Sequence, residues 1–309
     1  MNPEERQELE KKATGWFLSW IALLADEKLE ELPTPHEIVL QQNGEYTSPF
    51  PEVVVRLLVP NPHWMMVFNS EGWLRGFHNY SIDVDFEIPV RKYATMDISV
   101  LLEKAATIKL GIKTHLDFQL VSWEMNTHSG VTKFDPELGH DSPHGTPMFT
   151  VNYKAKVNGC TVGDAQLVMS FEGHTGRLRG LRVDDFEVPP FELPQMTPDV
   201  ATALAEEYIR RTNAQWRGDS PHGTRIIHEI APLNQSLRLG TPIEIMKVNV
   251  NKLVLMYRCG FEVTYEDSDR AGLQKLREVV DISCDTQKGT CILLFPPHRF
   301  GDKIPEYIW

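Results

Sequence analysis

Three stretches of the chain carry an apolar stripe at helical spacing. Ala13, Trp16, Phe17, Trp20, Ile21 and Leu24 recur at i, i+3, i+4, i+7, i+8 and i+11, which is one face of a helix. Ile98, Leu101, Leu102, Ala105 and Ala106 form a second stripe, and Val200, Leu204, Tyr208 and Ile209 a third. The helix starts agree with these stripes. Asn2 precedes Pro3, and Thr197 precedes Pro198 and Asp199. At such a start a side-chain oxygen satisfies an orphan amide, and proline has none to satisfy. The middle helix is predicted to begin near Thr95 or Asp97.

After each helix the period changes to two. Val151, Tyr153, Ala155 and Val157 alternate with Asn152, Lys154, Lys156 and Asn158. A strand with one wet face favours an antiparallel sheet. Asn158-Gly159 supplies a turn, and Leu167 to Phe171 the next strand. Ile243 to Val250, Leu253 to Tyr265 and Val279 to Ser283 read as further strands.

A repeat overlies this pattern. Asp85-Phe86-Glu87-Ile88-Pro89 and then Met96 match Asp185-Phe186-Glu187-Val188-Pro189 and then Met196, at an offset of 100. Leu293-Leu294-Phe295-Pro296-Pro297 is a looser third copy. The expectation is an α+β fold of three repeats, 1–89, 90–190 and 191–309, the last carrying a C-terminal tail. Each would be a helix packed on an antiparallel β-meander.

Each repeat also ends in a hairpin with a polar turn, with Gly72, Gly176 and Gly289 at the positions where such turns require φ > 0. Phe171 to Leu178 and Ile282 to Leu293 resemble the closing hairpin of the PepSY family and of related bacterial repeats. The helix openings Thr197-Pro198-Asp199-Val200-Ala201 and Met96-Asp97-Ile98-Ser99 are similar to that family's helix start. The resemblance covers about half of the chain, in pieces. It implies a non-enzymatic binding or inhibitory module, of the kind found in peptidase propeptides and envelope proteins. A cystatin-like α+β unit is the broader structural analogue. Asn69-Ser70-Glu71-Gly72 departs from the family's Asp and Thr-Gly, and those relatives are usually exported.

Charge narrows the partners. The 309 residues carry 31 Lys and Arg against 43 Asp and Glu, a net charge of −12. That argues against nucleic acid and against anionic membrane surfaces. No run approaches the ~18 apolar residues of a membrane span. The apolar run Trp16 to Ala25 follows an acidic stretch holding Glu4, Glu5, Glu8 and Glu10, where a signal peptide would be net positive. The expected location is therefore cytoplasmic, and the expected partner a protein or peptide. The four cysteines do not make a disulfide framework. Cys259 falls on the apolar side of its strand. Cys284 and Cys291 flank a turn and are placed to face each other, as buried thiols or as a redox or metal pair.

Candidate chemistry centres on a duplicated hexapeptide. Asp141-Ser142-Pro143-His144-Gly145-Thr146 recurs as Asp219-Ser220-Pro221-His222-Gly223-Thr224, at an offset of 78. Asp141, His144, Asp219 and His222 are candidate metal ligands or acid–base groups. The alternative is turn chemistry, with Asp and Ser capping the backbone and Gly reversing it. No phosphate cradle or hydrolase motif is present, and no cofactor is implied. The acid pairs Asp83/Asp85 and Asp184/Asp185 read as solvated carboxylates near a joint, with cation ligation as the alternative. Trp73 directly follows the turn glycine and is either an aromatic binding anchor or a core residue. The leading reading is a non-enzymatic protein- or peptide-binding protein. Its rivals are a metal-binding protein or hydrolase using the two hexapeptides, and a structural assembly subunit.

Overall fold

The computed structural model describes residues 3–24, 37–42, 53–59, 64–69, 71–80, 87–127, 131–219, 225–240, 253–267, 272–284 and 289–292. The chain divides into two compact units, one comprising Met1–Lys154 and Ala165–Val188, the other Ala155–Asp164 and Pro189–Trp309.

The first unit contains α1 (Pro3–Leu24), β1 (Glu37–Gln42), β2 (Val53–Val59), β3 (Trp64–Asn69) and β4 (Leu74–Asn79). A 3-10 turn at Val90–Lys92 leads to α2 (Ile98–Gly111) and β5 (Phe118–Thr127). The hairpin strands β6 (Val131–Asp135) and β7 (His140–His144) follow, then β8 (Pro147–Val157), β9 (Cys160–Glu172) and β10 (Leu178–Asp184). The strands pair in the order β1-β2-β3-β4-β10-β9, with β8 beside β9 and β5 beside β8. β6 and β7 pair only with each other among the described residues. Alternation sends every second side chain to one face. There Met66, Phe68, Leu74, Phe149, Val151, Leu167, Met169 and Phe171 lose all contact with solvent. Ala13 and Phe17 of α1 and Leu101 and Ala105 of α2 are equally buried. Asp97 caps α2, its carboxylate accepting from the Ser99 amide at 2.8 Å.

The second unit holds α3 (Pro198–Asp219), β11 (Arg225–Gly240), β12 (Val254–Asp267), β13 (Leu273–Ser283) and β14 (Gly289–Ile292). These four strands form an antiparallel run in chain order. The tip of the β8–β9 hairpin also belongs here, and Thr161 and Val162 pair in parallel with Arg238 and Leu239. Asn158 and Gly159 both take positive φ at that tip, as the two-residue turn demands. Ala201, Ala205 and Ile209 of α3 pack on Tyr257, Phe261, Val263 and Ile282. The β11–β12 register shifts between Pro232 and Asn234, and a bulge is one of the few places where a strand tolerates proline.

The three-repeat α+β arrangement is overturned. The described residues are mostly β, with three α-helices, one large mixed sheet and the small β6–β7 pair. β4 hydrogen-bonds β10 through Gly180↔His78, Leu181↔Phe77 and Arg182↔Gly76, so 1–89 and 90–190 share a sheet. The physical reason is that period-two alternation identifies a strand but not its neighbour. The expected strand Ile243 to Val250 lies outside the described residues. β11 was not anticipated, because its exposed positions outnumber its buried ones and no clean alternation results. Among the described residues no helix is long and apolar enough to cross a membrane.

Phe149 is 0% exposed and Phe134 is 62% exposed, so the two phenylalanines should behave differently on truncation. Phe149→Ala is expected to cost about 3–5 kcal/mol in urea unfolding. Phe134→Ala should stay within about 0.5 kcal/mol.

Candidate functional site

The site grows from the turn between β3 and β4. Asn69 is buried, and its side-chain oxygen accepts from the amides of Glu71 at 3.1 Å and Trp73 at 2.8 Å. The Gly72 amide donates to the Asn69 carbonyl, and the Asn69 amide to the Trp73 carbonyl, each at 3.0 Å. Gly72 takes φ +82°, a value that penalises any side chain. A Cβ there would also run into the indole of Trp16 on α1. Glycine therefore lets the turn lie flush on that ring, which is 5.9 Å from Phe68.

Trp73 is packed from beneath. The His115 ring lies 4.7 Å from it, and the Arg75 guanidinium 5.7 Å from its centroid. Asp185, whose side chain is fully buried, holds Arg75 by its guanidinium and His115 by its backbone. Its carboxylate accepts from Arg75 Nη1 at 3.1 Å, from the His115 amide at 2.8 Å and from the Leu116 amide at 3.1 Å. A buried carboxylate is tolerable only when its lone pairs are satisfied in this way.

Trp73 also lines a cleft of about 450 Å³. α1 contributes Trp16, Ser19 and Trp20; the turn contributes Glu71, Gly72 and Trp73; Gly111 and Lys113 complete the lining. All three indoles are half-buried, whereas Glu71 and Lys113 are exposed. The volume suits a small ligand or one or two large side chains.

Of the anticipated residues, Trp73 lines this cleft. Asp141 and His144 lie elsewhere, on β7. Asp141 is exposed and His144 is buried, so the two point to opposite faces of their strand. The His144 ring Nδ1 is 2.9 Å from the Ser142 carbonyl, and the backbone of His144 bridges to Pro89. Asp141–His144 is thus strand, not turn, and only Gly145 reverses the chain, at φ +125°. Asp219 ends α3 with its side chain outside the described part, and His222 lies wholly outside the described residues. Among the described residues, no three His, Cys, Asp or Glu side chains gather as metal ligands.

The β13–β14 register sets Cys291 opposite Val280, so Cys284 does not face Cys291. Cys160 and Cys259 are buried free thiols, and burial pushes the Cys259 thiol up to about 11. Asp184 and Asp185 are buried, not solvated, while Asp83 and Asp85 lie outside the described residues. Burial pushes the Asp184 carboxyl up, against the pull of Arg182 and Gln166. Of the other tryptophans, Trp64 is buried against Phe77 and Trp123 is 45% exposed.

Sequence reasoning assigned Trp16 and Trp20 to the buried helix face and missed Asp185, Arg75 and His115. The signal for Asp185 was weak, because one acidic residue beside another reads as surface. No family model matches the sequence and no curated protein matches it, so nothing identifies a PepSY-like or cystatin-like family.

Two predictions follow from these carboxylates. Asp185→Ala leaves Arg75 buried without its anion and is expected to cost about 3–5 kcal/mol in chemical unfolding. Asp135 is buried in the β6–β7 hairpin and accepts from Arg91 Nε at 2.8 Å, Arg91 Nη2 at 2.9 Å and the Glu137 amide at 3.0 Å. The Arg91 guanidinium above all holds its carboxyl well below the usual carboxylate range. Its stabilisation is complete above the unfolded value of about 3.9 and fades as the pH falls from there toward the folded value. The stability gap between wild type and Asp135→Asn should therefore narrow as unfolding is measured from about pH 6 down to about pH 2. A gap that stays constant contradicts this assignment.

Proposed function

We propose that the protein binds a peptide or protein partner and takes hold of it in the tryptophan cleft. The observation that carries the reading is the convergence of Trp16, Trp20 and Trp73 on one cleft, half-buried and held by neighbours on the protein side. Tryptophan supplies a large apolar area at low conformational cost and is the residue most often found to anchor partners. Holding the anchor rigid beforehand removes part of the ordering cost of binding. Asn69 does this for the Trp73 backbone, and Arg75 with His115 does it for the ring. The net charge of −12 sets this cleft on an acidic protein, which favours a peptide over a polyanion. The rival reading, metal binding or hydrolysis by the hexapeptides, draws no support from the first copy, whose Asp141 and His144 diverge.

The test is a selection of displayed random peptides on the full chain, with affinities then measured by calorimetry. Trp73→Ala is expected to weaken the selected peptides at least about tenfold, the loss typical of a removed anchor. Trp123→Ala, an exposed tryptophan outside the cleft, should leave them unchanged. Selected peptides that bind Trp73→Ala as tightly as wild type would overturn the proposal.

A further inference from the structure

The charges at the rim of the tryptophan cleft bear on what enters it. Glu71 comes from the β3–β4 turn and Lys113 from the segment after α2, and both line the same cleft. Among the described residues neither side chain forms an ion pair, with the other or with any third group. Other lysines of this unit do pair, Lys92 with Glu137 at 2.6 Å and Lys109 with Asp117 at 3.5 Å. Among the described residues the cleft thus presents one unpaired anion and one unpaired cation, farther apart than an ion pair. Three indoles lie along the same cleft.

We infer that the cleft is built for a zwitterion with an apolar body, namely a dipeptide or similarly short peptide with both ends free. Its ammonium would meet the Glu71 carboxylate, its carboxylate the Lys113 ammonium, and its apolar side chain the indoles. This deepens the peptide-binding reading and rests on it. Three features support the assignment. The cleft of about 450 Å³ has the size of a small-ligand site. The indole faces accept apolar groups and also favour an adjacent ammonium through their quadrupole. An internal peptide segment carries neither terminal charge and would leave Glu71 and Lys113 uncompensated beside a bound ligand, where charge-assisted hydrogen bonds are the strong ones.

The experiment is calorimetry on the full chain with leucyl-phenylalanine, phenylalanyl-leucine and tryptophyl-leucine, each free, N-acetylated and C-amidated. At least one free dipeptide is expected to bind, and blocking either end should weaken it about tenfold, the loss of one charge-assisted contact. Glu71→Gln should abolish the effect of acetylation and keep that of amidation. Lys113→Met should do the reverse. Both positions are exposed, so the variants should keep the wild-type circular dichroism spectrum. Equal binding of free and blocked dipeptides overturns the zwitterion assignment, and so does failure of all three free dipeptides to bind. If selected longer peptides still depend on Trp73 in either case, the cleft reading survives. Loss of the Trp73 dependence as well would remove both.

Discussion

Asp185 follows the last residue of β10 with its side chain fully out of solvent. An unpaired carboxylate there would cost several kcal/mol, so the surrounding chain has to deliver donors to it. It delivers three, from two distant parts of the sequence: the Arg75 guanidinium and the amides of His115 and Leu116. Satisfying the charge fixes where β4 and the segment after α2 stand relative to the end of β10. It also holds the Arg75 guanidinium and the His115 backbone, whose side chains both lie against the same indole. A requirement of electrostatics thereby becomes the geometry of a cleft wall.

The second constraint is backbone, not charge. Asn69 folds its side chain onto the amides of Glu71 and Trp73, and Gly72 adopts a φ that other residues resist. The turn can then sit against Trp16 without a Cβ in the way. Helix, turn and carboxylate act on different parts of one tryptophan: its backbone, its ring and its neighbour across the cleft. The rigidity this gives matters for binding, since an anchor already in place loses little entropy when a ligand arrives. Among the described residues the Glu71 and Lys113 side chains form no ion pair, which leaves their charges available at the rim.

Much of the local structure was legible in the chain. The apolar stripes located all three helices, Asp97 capped the middle one, and Asn158-Gly159 made its turn. Strand partnership was not legible. The match between Asp85–Pro89 and Asp185–Pro189 is real as sequence, yet Leu181 lies beside Phe77 in one sheet. Alternation reports which face a residue takes, and nothing in it reports which strand lies alongside. The candidate site was legible at one position. Trp73 stood out because it follows a turn glycine, while Trp16 and Trp20 were hidden in a stripe already explained as core. Asp185 was hidden for the opposite reason: carboxylates usually face water, and only long-range pairing with Arg75 reveals the exception.

The buried carboxylate of Asp185 organises the surroundings of Trp73. Proton NMR of the full chain tests it through contacts between the Trp73 indole and the His115 ring, 4.7 Å apart between centroids. Asp185→Asn keeps the size of the side chain but replaces one acceptor oxygen with a donor, and it removes the charge that holds Arg75. The account predicts nuclear Overhauser contacts between Trp73 and His115 in the wild type. It predicts their loss in Asp185→Asn, with the Trp16–Phe68 contacts on the helix side retained. Persistence of the Trp73–His115 contacts in Asp185→Asn would contradict it.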